Sequence, residues 1–313
     1  DLNYPQGLFS RAAKIVSEFG LNYEDVGLFV RGAALYDFDV MGDNTARTRL
    51  SDSAKQLVGS YERLLDAFVY WKFGEGATQG ELRLGRQVAS WGESTFIQGG
   101  INVINHFDVA ALRVPGSELR EGFMPQEMAL LSLQFNDYLS GQAVYIADWD
   151  ATIPEPVGSY FSTNDIAVTG GNKVLLGFGA FSDQGVDFGA VGGPLIADFQ
   201  QVPRLATRTP DEQGQYGVNL KLYLPNFNNG TEFGLYFLNY HSRLPVISGR
   251  TGTQAGIGNS IGGITAVGAA AQGLAAGLPL NAAIATAAQV AVQRSAAAGG
   301  DLSLATATPY ATI

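Results

Sequence analysis

Stretches of about ten residues in which apolar and polar side chains alternate recur along this chain, and that is the length a tilted strand needs to cross an outer membrane. In residues 216 to 224, Tyr216, Val218, Leu220, Leu222 and Leu224 share one face, while Gly217, Asn219, Lys221 and Tyr223 share the other. Residues 231 to 240 place Phe233, Leu235 and Phe237 outward and Glu232, Gly234, Tyr236 and Leu238 inward. The asparagine and glycine cluster between them, Pro225 to Gly230, is a hairpin signal. Residues 127 to 136 (Ala129, Leu131, Leu133 and Phe135 outward) and 139 to 148 (Leu139, Ala143 and Tyr145 outward) form a second pair around Asn136 and Asp137. Residues 62 to 73 place Leu65, Ala67, Val69, Trp71 and Phe73 outward against Asp66, Phe68, Tyr70 and Lys72, and return through 80 to 88. Residues 12 to 22 and 26 to 38 pair around Tyr23 to Asp25, giving eight strands.

The connections alternate as well. Short ones fall at about 23 to 25, 74 to 79, 137 to 138 and 225 to 230; long ones at about 39 to 61, 89 to 126, 149 to 212 and beyond 241. Short turns on one side and long loops on the other mark an outer-membrane barrel, and a soluble sandwich has no reason to sort its loops by length. The expected fold is therefore all-β, an antiparallel transmembrane barrel, with residues 1–245 supplying strands and loops. With short turns in the periplasm, Asp1 lies in an extracellular loop, and the last strand rises into a loop that does not return before Ile313. The chain then reads as an internal portion of a longer barrel, and residues 12 to 22 are not expected to pair with residues 231 to 240.

Composition agrees. Only 15% of residues are charged, against about a quarter in soluble domains. The mean hydropathy of +0.06 suits alternating strands, not a bundle of apolar helices. A net charge of -10 without a basic patch speaks against a nucleic-acid partner. Cysteine is absent and the two histidines, His106 and His241, are far apart, so no metal site is expected. Ser94 has only His106 nearby in sequence. The chain is read as a non-enzyme without a cofactor.

Residues 251 to 293 carry no charge and are rich in Gly and Ala. Gln272, Pro279, Asn281 and Gln289 make this a poor membrane span. The expectation for 246–313 is an Ala/Gly-rich extracellular loop or insertion with one or two short helices.

Inward positions carry both signs: Lys14, Glu18, Arg31, Asp37, Asp66, Lys72, Glu81, Arg83, Lys221 and Glu232. They either line a pore that selects a solute or neutralise one another across neighbouring strands. Arg86 breaks the alternation set by Leu82 and Leu84, and a bulge there would turn it inward. With Gln87, Trp91 and Glu93 it forms a group that either docks a ligand or braces the following loop within the lumen. Tyr23, Trp71, Phe73, Phe135 and Tyr138 gather near the short turns, as an interfacial aromatic girdle against lipid requires.

Leu82-Arg83-Leu84-Gly85-Arg86-Gln87, Ser90-Trp91-Gly92-Glu93-Ser94, Gly99-Gly100-Ile101-Asn102 and Leu112-Arg113-Val114-Pro115-Gly116 resemble, in this order, the outer-membrane family known as domain of unknown function 1302. Leu2-Asn3-Tyr4, Gly214-Gln215-Tyr216-Gly217 and Asn239-Tyr240-His241-Ser242-Arg243 extend the match. The resemblance implies a longer barrel in the bacterial outer membrane, with a LolB-like lipoprotein and an inner-membrane exporter as companions. The expected function is a channel or transporter for a small, apolar or amphipathic molecule. The alternative is a structural or adhesive barrel with a closed lumen and partner-binding loops.

Overall fold

The computed structural model describes residues 3–46, 48–92, 100–114, 117, 119–164, 166–175 and 201–300. The chain divides into two compact units, Asp1–Gly170 with Arg208–Pro245, and Gly171–Thr207 with Val246–Ile313.

The first unit is built on strands β1 (Ala12–Tyr23), β2 (Val26–Asp37), β3 (Ser60–Glu75) and β4 (Thr78–Gln87), followed by the two-residue strands β5 (His106–Phe107) and β6 (Phe123–Met124). After β7 (Gln126–Gln134) and β8 (Leu139–Ile146), the strands β9 (Lys173–Leu175) and β10 (Gln201–Pro203) belong to the second unit, and β11 (Gln215–Leu224) and β12 (Thr231–Asn239) return to the first. Eight strands make one antiparallel sheet in the order β1-β2-β3-β4-β7-β8-β11-β12. The all-β reading and the eight strands hold. β1 and β12 are the two edges, and among the described residues they do not pair with each other.

The turns follow from their residues. Between β11 and β12, Asn228, Asn229 and Gly230 have positive φ of 49°, 61° and 104°, a conformation that Asn and Gly adopt most readily. Asn136 accepts from the backbone N–H groups of Tyr138 and Leu139 between β7 and β8. The long connections hold short helices: α1 (Phe38–Met41), capped by Asp37; α2 (Asp52–Val58), capped by Ser51; and α3 (Leu119–Gly122).

One face of the sheet is bare. Ile15, Val69, Val218, Leu220 and Phe237 are exposed on it, as is Leu235 at 73%. The other face is covered by the segment between β4 and β7, whose Ala89, Trp91 and Ile104 pack with Met128, Leu130, Val144 and Ile146. Gly217 permits that contact, since a Cβ there would lie 2.8 Å from the Trp91 ring.

The expected facing fails in one place. Leu65, read as outward, is buried at 6%, and Leu64 is exposed at 55%. A bulge is the cause: Val30 pairs with Ala67 but Gly32 with Leu64, so the extra residue reverses the alternation above it. Arg86 shows the converse. Its strand runs in unbroken register, with Arg86 opposite Ala67 and Glu127, so no bulge turns it away from the face of Leu82 and Leu84.

In the second unit, β9 pairs with β10, and helices α4 (Gln254–Ala275) and α5 (Leu280–Ala297) form an antiparallel hairpin broken at Gly277 and Pro279. They are 22 and 18 residues long, more than the short helices expected from the sequence. Alanine favours helix, and small residues let the helices approach closely. A Cβ on Gly262 would lie 2.6 Å from the Ala291 carbonyl oxygen, and Ser295 bonds Asn259 at 2.7 Å. No helix among the described residues is long and apolar enough to cross a membrane, which says nothing of crossing by strands.

Candidate functional site

Cross-strand register assembles a row of polar side chains over the covered face. Lys72 on β3 stands opposite Glu81 on β4, Glu81 opposite Ser132 on β7, Ser132 opposite Gln142 on β8, and Gln142 opposite Asn219 on β11. Alternation puts these residues on one side because each is an even number of positions from its inward neighbours. Hydrogen bonds join the row: Gln142 Nε2 donates to Ser132 Oγ at 3.0 Å, and Asn219 Nδ2 to Gln142 Oε1 at 3.2 Å. All five line a cavity of about 950 Å3, together with Gln79, Gln134, Ser140 and Lys221, and with Asp25 and Glu75 at the short-turn end. Ser90 and Trp91 contribute from the covering segment.

Of the inward charges named from the sequence, the cavity gathers Lys72, Glu81 and Lys221. Arg83 and Glu232 stand beside these: Arg83 Nε binds Glu81 Oε1 at 2.5 Å, and Lys221 Nζ lies 3.3 Å from Glu232 Oε1. The other charges lie elsewhere. Arg31 and Asp66 are buried in an ion pair at 2.7 Å, with Glu18 the cross-strand neighbour of Arg31. Lys14 donates to Ser117 Oγ at 3.0 Å and pairs with Glu121. Asp37 accepts from the backbone of Asp39 and Val40.

Gln87 is buried at 1% opposite the fully buried Gln126 and donates to the Met128 carbonyl at 3.3 Å. Trp91 is in the core, and Glu93 lies outside the described residues. Tyr23, Trp71, Phe135 and Tyr138 are exposed near the short turns, and Phe73 packs on Trp71 with ring centroids 4.9 Å apart. Phe227 and Phe233, exposed at the same end, extend this set.

Several residues that hold the covering segment escaped the sequence reading. Asn105 accepts from the Ala89 N–H at 2.9 Å and donates to the carbonyls of Gln87 and Met124, clasping both ends of the segment. Arg63 meets the buried Asp108 at 2.5 Å. Arg243 donates to the carbonyls of Val103 and Asp150. Burial lowers its pKa to about 10. His106 is buried at 4%, with Nδ1 3.9 Å from Asp150. Burial, reinforced by Arg243 and Arg86 and opposed by Asp150, lowers its pKa to about 4, so it is neutral at pH 7.

The letters Gly258-Asn259-Ser260-Ile261-Gly262 match the nucleophile motif of serine hydrolases. They lie within α4, away from the strand-to-helix turn that such a nucleophile requires.

A family model described as a protein of unknown function, DUF1302, matches residues 1–307. No curated protein and no solved structure matches this chain.

Proposed function

This chain belongs to the DUF1302 family of proteins of unknown function, and we propose that it forms part of a bacterial outer-membrane β-barrel that conducts a small amphipathic molecule. The observation that carries this reading is the opposition of the two sheet faces. One face exposes aliphatic and aromatic side chains across the strands, and the other holds a polar row under a folded segment. Such a sheet is suited to lipid on one side and a watery lumen on the other.

On this reading the edges of β1 and β12 pair with further strands, because unpaired backbone groups cost several kcal/mol each in hydrocarbon. The segment between β4 and β7 constricts the lumen, and the short turns face the periplasm. A LolB-like lipoprotein and an inner-membrane exporter are the companions the family resemblance suggests. The reading involves no catalysis and no cofactor.

The rival, a structural or adhesive barrel with a closed lumen, draws support from the Asn105, Asp108 and Arg243 anchors, which hold the segment firmly. Planar-bilayer conductance of the full-length protein separates the two. A channel gives discrete conductance that grows when residues 93–103 are deleted. Silence in both proteins, with no uptake into liposomes, overturns the channel.

A further inference from the structure

The cavity over the polar row offers a ligand a mixed set of hydrogen-bonding groups. Its lining includes groups that both donate and accept hydrogen bonds: the amides Gln79, Gln134, Gln142 and Asn219 and the hydroxyls Ser132 and Ser140. Formal charges do not set a sign, because Lys72 and Lys221 stand against Asp25, Glu75 and Glu81, while Lys221 is also matched by Glu232. An anion would meet amide and carboxylate oxygens, and a cation would meet amide N–H groups and two ammonium groups. A neutral polyhydroxyl compound meets neither penalty, since each hydroxyl can donate to an oxygen and accept from an N–H.

We infer that this cavity binds an uncharged polyhydroxylated group, a sugar or polyol, carried either free or as the head of an amphiphile. The inference rests on the channel reading, for which it names the cargo. Gln142 and Asn219 each use one N–H in the row and carry a second for the ligand. Trp91 adds an apolar wall, and its buried indole N–H has no hydrogen-bond partner among the described residues.

The test uses the full-length protein in lipid nanodiscs, with every tryptophan except Trp91, Trp71 and Trp149 among them, replaced by phenylalanine so that Trp91 is the fluorophore. Octyl glucoside, octyl sulfate and octyltrimethylammonium are titrated below their micelle concentrations, alongside free glucose. The expected result is saturable quenching by the glucoside, with both charged octyl compounds at least tenfold weaker. Gln142→Leu should weaken the glucoside at least tenfold, and β-sheet circular dichroism reports whether that variant folds. Glucose binding within a few-fold of the glucoside identifies a free sugar as cargo, and a hundredfold preference for the glucoside identifies an amphiphile. Equal binding of all three octyl compounds, or none at all, overturns the inference even if Gln142→Leu does not fold. Conductance measured in parallel separates the two claims: conductance without sugar binding removes this site and leaves the channel, while binding without conductance does the reverse.

Discussion

Arg63 on β3 and Asp108, in the segment between β5 and α3, form an ion pair at 2.5 Å in which Asp108 is wholly shielded from solvent. Asp108 also accepts from the Ala111 N–H, so one carboxylate ties the covering segment to the sheet and sets its local turn. Removing one partner of a buried pair leaves the other charge uncompensated, at a cost of about 3–5 kcal/mol. Asp108→Ala should therefore release the segment, raising protease cleavage between residues 88 and 125 and increasing conductance. Replacing both partners with apolar residues, Arg63→Met with Asp108→Leu, should restore much of the protection. Unchanged cleavage in Asp108→Ala would show that the pair does not anchor the segment.

The bulge on β3 makes a paired prediction about adjacent leucines. Leu65 is buried and Leu64 is bare. Leu65→Ala should destabilise the protein by about 2–4 kcal/mol through the cavity it leaves, whereas Leu64→Ala should cost under about 1 kcal/mol. Urea unfolding in detergent micelles measures both. A larger loss at Leu64 would mean that the alternation runs through without a bulge.

That bulge also marks how far the sequence could be read. Alternation placed the outward residues of β7, β8, β11 and β12 because their register is continuous, and the Asn228 to Gly230 turn was visible in its residue types. Period-two counting cannot foresee an inserted residue, so it put Leu65 on the wrong face and hid Arg63 from the inward set. Ser132 and Gln142 were at inward positions all along. An uncharged polar side chain at an inward position has no formal charge to set it apart from the other lumen-facing residues of its strand. The anchors Asn105, Asp108 and Arg243 have no local signature. Asp108 is 45 residues from Arg63, and Arg243 is 140 from Val103.

His106 gives the covering segment a pH dependence. Its folded pKa of about 4 lies below the ordinary value of 6.5, so the unfolded state binds the proton more readily. The contribution is fully present above about pH 6.5 and is lost as pH falls towards about 4, by on the order of 3 kcal/mol. Asp148 and Glu155, whose carboxyls burial pushes up, titrate in the opposite sense, so the comparison is made against His106→Asn. Wild-type stability should fall more steeply than that of the variant between pH 7 and pH 4. Parallel curves would remove His106 from the account.

A nitroxide scan along β11 tests most directly whether this sheet divides lipid from water. Labels at residues 217 to 222 in the full-length protein, reconstituted in liposomes, report collisions with oxygen in lipid and with a nickel chelate in water. The account predicts oxygen contact at positions 218, 220 and 222 and nickel contact at 219 and 221, with a period of two. Leu220→Arg should then cost about 2–4 kcal/mol, with little effect from Asn219→Ser. Nickel contact at 218, 220 and 222, or no alternation at all, would contradict the account.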